Sequence, residues 1–294
     1  MLGLPHDEPS RVLNITRAKE LLEGIMIPPR PAILIDVLNA QAAPEVNLKR
    51  IADIISEDVA LSAATLKVVN SPFFGLRVRI GSIHHSVRLL GVNNVVNIAT
   101  GLMLRTAFSD LSGWFMDRFW ASSSRLALYA ALIGRTCTSI PPDELYTLGL
   151  FCNCGIPILL RRYPAYKELY TEALEQSERS VSEIEEAELM TDHTVVGYML
   201  AQQWQLPDLL SHCILRHHDT RDYYTDAQEE NRDSLQRLAV ILTAQHIEHM
   251  ITYQIPSFEW KMVGGAVQAF LGLDADALAS LQEEALALSE GNES

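Results

Sequence analysis

The fold is decided by the stretch HTVVGYMLAQQWQLPDLLSHCILRHH, residues 193–218, in which apolar residues recur at intervals of three and four. This spacing is typical of amphipathic α-helices. Asp192 precedes the first half of the stretch and fits a helix N-cap, and Pro207 opens the second half, because proline is tolerated in the first turn of a helix. The inward-facing stripe of the second helix consists of Leu210, Cys213, Ile214 and His217. The stretch therefore predicts two consecutive helices, with a histidine pair at the end of the second.

Helical periodicity extends over almost the whole chain. FMDRFWASSSRLALYAALIGRTC, residues 115–137, is a long periodic segment, and no alternating run is long enough to predict a strand. We therefore predict an all-α protein made of two packed helical lobes. The segment 109–113 is the expected division, so that residues 1–110 form an N-terminal lobe and residues 111–294 form a second lobe that includes the C-terminal helices.

The composition narrows the classes of partner. With 294 residues, of which 48% are hydrophobic, the chain can bury a large core. The formal net charge of -14 argues against wide contact with nucleic-acid backbones and against docking on an anionic membrane, since both require a basic face. No apolar run reaches the ~18 residues that a membrane span requires, and four cysteines are too few for a disulfide scaffold. We expect a cytoplasmic protein without nucleic-acid or membrane partners.

Two cysteines stand close together in LGLFCNCGIPILL, residues 148–160. Cys152 and Cys154 are two residues apart, and in a helix such residues point to nearly opposite sides. Zinc sites usually place two to four residues between a pair of cysteines and need a second pair. The spacing therefore favours small buried side chains over a metal or redox motif.

Three histidines fall on neighbouring predicted helices. His193 begins one helix, and His217 and His218 end the next. Three imidazoles in this arrangement could hold a divalent metal ion. Alternatively, the histidine pair lies at a helix C-terminus because imidazolium interacts favourably with the helix dipole and the last carbonyl groups. The spacing alone favours the second interpretation, and no metal site is predicted from it.

Several stretches of the chain, taken together, resemble the HDOD family, the HD-related output domains. The matching stretches, in order, are IPPRPAILIDVLNA (27–40), ISEDVALSAATLKVVNSPFFG (55–75), IGSIHHSVRLLGVNNVVNIA (80–99), FWASSSRLALYAALI (119–133), LGLFCNCGIPIL (148–159) and the opening stretch. The resemblance covers about residues 25–250. It implies bacterial signal transduction and a second lobe similar to the HD phosphohydrolase superfamily, whose helices hold metal with histidine, His-Asp and aspartate positions.

The catalytic pattern of that superfamily is incomplete when it is carried over position by position. The first histidine position holds Ser122, and the His-Asp doublet holds Cys152 and Asn153. The late aspartate position falls at or near Ala244. The histidines that match superfamily positions are His193, His217 and His218. The resemblance thus implies a vestigial site that keeps its later histidines without the first histidine and without either carboxylate.

A hydrolytic metal centre needs carboxylates to balance charge and to orient the activated water. Their loss predicts a non-catalytic signalling or regulatory module with no catalytic residues, no metal and no cofactor. It would act through signalling proteins whose identity the sequence does not give, or through a nucleotide-like ligand bound without cleavage. The alternative is a metal-dependent phosphohydrolase or phosphodiesterase with a degenerate site.

A candidate interaction loop follows the second matching stretch. It contains Asn70, Ser71, Phe73, Phe74 and Gly75. Two adjacent aromatic side chains in a loop can anchor a partner protein. They can equally fill the interface between the two lobes, and we regard this structural use as the more frequent one.

Overall fold

The computed structural model of the chain describes residues 27–71, 74, 76, 78–175, 178–219 and 232–292. Within these ranges the regular structure is helical and contains no strand, which confirms the all-α prediction. Phe73 and Gly75 of the candidate interaction loop lie outside the described residues.

The first lobe contains five helices among the described residues. They are α1 (Ala32–Gln41), α2 (Leu48–Glu57), α3 (Val59–Val69), α4 (Ile83–Leu90) and α5 (Val92–Ala107). Short polar side chains start two of them. The Asn47 side chain accepts a hydrogen bond from the Arg50 amide at 3.0 Å, and the Ser82 hydroxyl accepts one from the His85 amide at 3.2 Å. Such caps satisfy amide groups that have no partner within the helix.

The second lobe is built around a long helix, α6 (Trp114–Cys137), which packs against α7, α13 and α15. The helices that follow α6 are α7 (Pro142–Phe151), α8 (Ile156–Arg162), α9 (Tyr166–Glu175), α10 (Val181–Leu189), α11 (His193–Gln203), α12 (Asp208–Arg216), α13 (Arg232–Tyr253), α14 (Phe258–Leu271) and α15 (Ala275–Asn292). Asp192 caps α11 by accepting hydrogen bonds from the amides of the first turn, and Pro207 precedes α12. Both boundaries agree with the sequence prediction.

The two lobes meet where α5 crosses α7. A Cβ atom on Gly101 would lie 2.2 Å from Cδ1 of Leu150, so the glycine allows the two helices to approach closely. Beside it, the Asn97 amide donates to Asp143 Oδ2 at 2.6 Å. A continuous cluster of buried apolar residues extends through both lobes. The lobes are thus packed together as expected, while the boundary at 109–113, in the connection between α5 and α6, stays a prediction.

The C-terminal helices complete the second lobe. Helix α14 packs on α13 and α15 packs on α6, and Arg135 of α6 forms an ion pair with Glu284 of α15 at 3.0 Å. The His246 ring of α13 lies flat on the Trp260 ring of α14, with 4.1 Å between the ring centres. Through these contacts α14 brings its first turn, which contains Glu259, to the histidine pair that follows α12.

The length and apolar composition of the described helices decide whether one of them could span a membrane. No single helix among them is both long and apolar enough to cross a bilayer. The bent pair formed by residues 258–271 and 275–289, with 99° between its halves, meets those requirements in length and composition alone.

Candidate functional site

Three histidines converge at the centre of the second lobe. His193 is the first residue of α11, His217 is the C-cap of α12, and His218 follows it. One ring nitrogen from each lies within 4.8 Å of those of the other two, and the Nε2 atoms of His193 and His217 are 3.3 Å apart. His193 is fully buried and His217 is 4% exposed. The structure therefore brings together the three histidines that the sequence singled out.

A buried glutamate supports His193. Glu185 Oε2 accepts hydrogen bonds from His193 Nδ1 at 2.6 Å and from the His193 amide at 2.8 Å, and Tyr166 donates to Glu185 Oε1. Burial alone would raise the pKa of Glu185, but the charge of His193 and these hydrogen bonds lower it overall. Burial alone would lower the pKa of His193, and Glu185 reverses this effect and raises it. The two side chains thus form a hydrogen-bonded carboxylate–imidazole pair in the interior.

A second glutamate supports His218. Glu259 Oε1 lies 2.7 Å from His218 Nδ1, and both side chains are largely buried. Burial raises the pKa of Glu259, but the charge of His218 and its hydrogen bond outweigh burial and lower it. The carboxylate is therefore ionised and holds the orientation of the His218 ring.

The third histidine is oriented by the backbone. His217 Nδ1 lies 2.7 Å from the carbonyl oxygen of Ile214, and His217 Nε2 lies 3.2 Å from Asn153 Oδ1. Since the Nδ1 atom of each of the three rings faces an acceptor, we assign a proton to each Nδ1. Hydrogen bonding of this kind is what orients imidazoles that ligate a metal through their other nitrogen.

The donor set fits one cation and does not fit a carboxylate-bridged metal pair. Zn²⁺, Ni²⁺ and Cu²⁺ accept imidazole ligands readily, whereas Mg²⁺ and Mn²⁺ prefer oxygen ligands. The carboxylates of Glu185 and Glu259 are engaged with histidine Nδ1 atoms. Asn153, whose Oδ1 lies 3.2 Å from His217 Nε2, is neutral, and Ala244 is fully buried and carries no donor.

Two acidic side chains that the sequence did not single out lie beside the histidines. Glu185 and Glu259 reach them from α10 and α14. Glu185 belongs to the acidic segment SEIEEAEL, in which its neighbours are equally acidic, and no spacing distinguishes it from them. Glu185 is 8 residues away in the chain from His193, and Glu259 is 41 residues away from His218. Only the tertiary packing brings these two carboxylates to the histidines.

Cys152 and Cys154 lie in the core. Cys152 Sγ is 3.3 Å from the Gly149 carbonyl oxygen, and Cys154 Sγ is 3.6 Å from that of Gly197. Both are fully buried, and burial raises the pKa of the Cys152 thiol to about 12. Neither belongs to the histidine group among the described residues. The interpretation of both as small buried side chains is confirmed.

A cavity of about 290 Å³ lies next to the histidine group. Ser122 of α6 and Asn153 line it, together with His218 and Glu259. Its remaining walls come from α6, α9, α13 and from the starts of α10 and α14. Ser122, Asn153 and His218 therefore line the same cavity, although they are distant in the chain.

In the described part of the candidate interaction loop, the Asn70 side chain bonds to backbone groups of Leu66 and Ile80. Its Nδ2 donates to the carbonyl oxygens of Leu66 and Ile80 at 2.7 and 2.9 Å, and its Oδ1 accepts from the Ile80 amide at 2.7 Å. Ser71 is buried, and Phe74 is partly buried against the core. These residues hold the loop in shape, and its contact with a partner stays a prediction.

The chain is similar to known proteins over most of its length. A model of the HDOD domain matches residues 27–220. An uncharacterised protein of Treponema pallidum (strain Nichols) is 30% identical over 200 residues, which is 66% of this chain and 38% of that relative. The chain thus spans well under half of the length of this relative.

Solved structures share the fold. An HDOD domain protein of unknown function from Geobacter sulfurreducens has a TM-score of 0.73 and 21% identity, covering 96% of this chain and 98% of its own. A Shewanella amazonensis SB2B protein, provisionally named a metal-dependent phosphohydrolase, has a TM-score of 0.70 and 18% identity, covering 96% and 98%. A Marinobacter aquaeolei VT8 protein, provisionally named a signal transduction protein, has a TM-score of 0.69 and 18% identity, covering 98% and 66%. At these identities the likeness concerns the fold alone.

Proposed function

Since the chain belongs to the HDOD family, we propose that it is a non-catalytic module of bacterial signal transduction that acts by binding a protein or a small ligand. One observation supports the proposal: the carboxylates of Glu185 and Glu259, which reach the histidine group, are both engaged with imidazole Nδ1 atoms. By the resemblance to the HD superfamily, Ser122, Asn153 and Ala244 would take the places of its metal ligands, and none of the three is a carboxylate.

The chemistry of hydrolysis explains why this observation matters. A two-metal centre stabilises both the attacking and the leaving oxygen of a phosphoester, and anionic ligands compensate its charge. Asn153 offers a neutral amide oxygen, which does not bridge two cations as an aspartate does. The imidazoles that remain suit one cation of the zinc or nickel type. A single ion without a carboxylate ligand supports the role of a structural or regulatory site better than that of a hydrolase.

The names of two structural neighbours agree with two different functions. The Marinobacter protein is provisionally named for signal transduction, which supports the proposal. The Shewanella protein is provisionally named a metal-dependent phosphohydrolase, and the convergence of His193, His217 and His218 favours this second candidate function. A cytoplasmic location and signalling proteins as partners belong to the first proposal, with the loop around Asn70 as the proposed contact.

Turnover measurements separate the two candidates. The chain, purified without a nickel column, is assayed against phosphomonoesters and phosphodiesters with Mn²⁺, Fe²⁺, Zn²⁺ or Ni²⁺ added. We expect no turnover above that of the free metal. As a matched control, His212→Ala removes a half-buried histidine of α12 that bonds to the Asp208 carbonyl oxygen and lies edge-on to the Tyr198 ring, outside the histidine group. Turnover that His217→Ala abolishes and His212→Ala preserves would overturn the proposal.

A further inference from the structure

We propose that the cavity beside the histidine group binds a small organic anion with a flat ring, of mononucleotide size or smaller. The inference rests on the proposed function, since it names the class of small ligand through which the module would act. It is carried by the size of the cavity, by its aromatic walls and by the charges that line it.

The size of the cavity sets the upper limit for the ligand. Pockets for small molecules usually measure about 300–1,000 Å³, and this cavity, at about 290 Å³, lies at the lower end of that range. One ring system with one anionic group is of this size. A cyclic dinucleotide, which contains two nucleotides, exceeds it.

Aromatic side chains form much of the wall. The aromatic lining residues are Trp114, Phe115, Phe119, Tyr170, Tyr253 and Phe258. Phe115 meets Tyr170 edge to face, with 6.0 Å between the ring centres and 82° between the planes. Trp114 meets Phe115 in the same way and is 54% exposed, which is unusual for so large an apolar side chain. Such walls favour a ligand with a flat ring, because aromatic rings pack well in stacked and edge-on geometries.

The charges of the lining favour an anion. Three arginines line the cavity, and one of them, Arg125, forms a 2.6 Å ion pair with Glu248. The second carboxylate of the lining, Glu259, is engaged with His218. Within the described ranges, neither Arg118 nor Arg179 has a carboxylate at ion-pair distance. Arg179 donates instead to the Glu183 carbonyl oxygen at 2.9 Å. Both guanidinium groups keep further N–H donors, and guanidinium groups bind phosphate and carboxylate in a bidentate manner.

The binding experiment uses 1-naphthyl phosphate as the probe, because it combines a flat ring with one phosphate. Titration calorimetry on the full chain compares it with 1-naphthol, which lacks the anion, and with inorganic phosphate, which lacks the ring. We expect saturable binding of the ester, and weaker binding of either half by about tenfold or more, since each half loses one set of contacts. Equal affinity of the ester and of 1-naphthol would contradict the inference.

Two arginine substitutions test the site. Arg118→Gln removes from the cavity wall an exposed guanidinium that has no carboxylate partner among the described residues. We expect the Kd to rise by about tenfold, as for a lost charge-assisted contact. Arg135→Gln is the matched control, because Arg135 lies on the same helix and pairs with Glu284 away from the cavity. An unchanged Kd in Arg118→Gln, or an absence of saturable binding to the wild type, would overturn the inference.

The same probe distinguishes failure of this inference from failure of the proposed function. Hydrolysis of the ester would release 1-naphthol, which is fluorescent. Release of 1-naphthol would refute the non-catalytic function while leaving the choice of ligand class standing. Absence of both binding and hydrolysis would refute the ligand class and leave a protein-binding module.

Discussion

Glu259 Oε1 lies 2.7 Å from His218 Nδ1, and this contact joins the start of α14 to the end of α12 across 41 residues of chain. The pair is largely buried and lies in the wall of the cavity. It connects helix α14, which lies beyond the matched HDOD region, to the histidine group inside that region. The start of α14 is therefore part of the site.

Glu259→Gln is expected to destabilise the chain. The substitution keeps the size of the side chain and removes its charge, so that His218 loses a charge-assisted hydrogen bond in the interior. We expect the free energy of unfolding to fall by about 1–3 kcal/mol, which is the usual value for hydrogen bonds to charged groups. Urea denaturation measures the difference. The control Glu284→Gln breaks an exposed pair with Arg135 and is expected to cost under about 1 kcal/mol.

Gly155→Ala is expected to disturb the position of His193. An added Cβ atom would lie 2.0 Å from the His193 carbonyl oxygen and 2.8 Å from the Gly197 amide nitrogen. Both are backbone atoms at the start of α11, so the helix itself must move. We expect a loss of stability of about 1–3 kcal/mol or more, as in overpacked cores.

Gly265→Ala provides the matched control for that substitution. Gly265 lies inside α14, and an added Cβ atom meets nothing within 4 Å. Alanine is the better helix former, so stability is expected to rise by about 0.5–1 kcal/mol. If both alanine variants had the same melting temperature, the close approach at Gly155 would be refuted.

His246 gives the fold a defined dependence on pH. Burial against Trp260, with a smaller contribution from His249, lowers the pKa of His246 to about 4, from its usual value near 6.5. In the unfolded chain the ring takes up a proton below about pH 6.5, whereas the folded chain resists protonation until about pH 4. The contribution of His246 to stability is therefore complete above pH 6.5 and is lost as the pH falls from 6.5 to 4.

A variant with an aromatic ring that does not titrate tests this contribution. His246→Phe keeps a flat ring on Trp260. Between pH 6.5 and 4.5 its free energy of unfolding is expected to fall by about 1–3 kcal/mol less than that of the wild type. Denaturant melts across this range measure the difference, with His212→Gln as control. Parallel stability curves for the wild type and His246→Phe would show that the buried ring does not titrate as described.

The histidine group is expected to bind one zinc or nickel ion. The Nε2 atoms of His193 and His217 are 3.3 Å apart, which is the separation of two ligands on a tetrahedral ion with metal–nitrogen bonds of about 2.0–2.1 Å. Calorimetric titration should give one Zn²⁺ per chain, and His217→Ala should abolish the binding. If Zn²⁺ bound equally to the wild type and to His217→Ala, the ion would lie elsewhere on the chain.

Local signals allowed much of the fold to be predicted, because helix periodicity and capping are read from neighbouring residues. Asp192 and Pro207 mark the two helix starts that the structure shows. His193 and His217 could be grouped because the resemblance pointed to both, and His217 also continues the inward stripe of α12.

The supporting shell of the site could not be predicted from the sequence. Glu185 is one acid among several in a helix, and Glu259 reaches His218 only because His246 and Trp260 stack and seat α14 on α13. The cavity likewise depends on how α6, α9, α13 and α14 pack together. Such contacts between distant segments leave no periodic trace in a single sequence.

The central claim, that this site does not seat a carboxylate-bridged metal pair, is tested most directly by the manganese content of the chain. The protein is equilibrated with excess Mn²⁺, passed through a desalting column and analysed by mass spectrometry of the metal. We expect the chain to retain no manganese, because imidazoles without carboxylate ligands bind this ion poorly. Two manganese ions per chain, lost in His217→Ala, would contradict it.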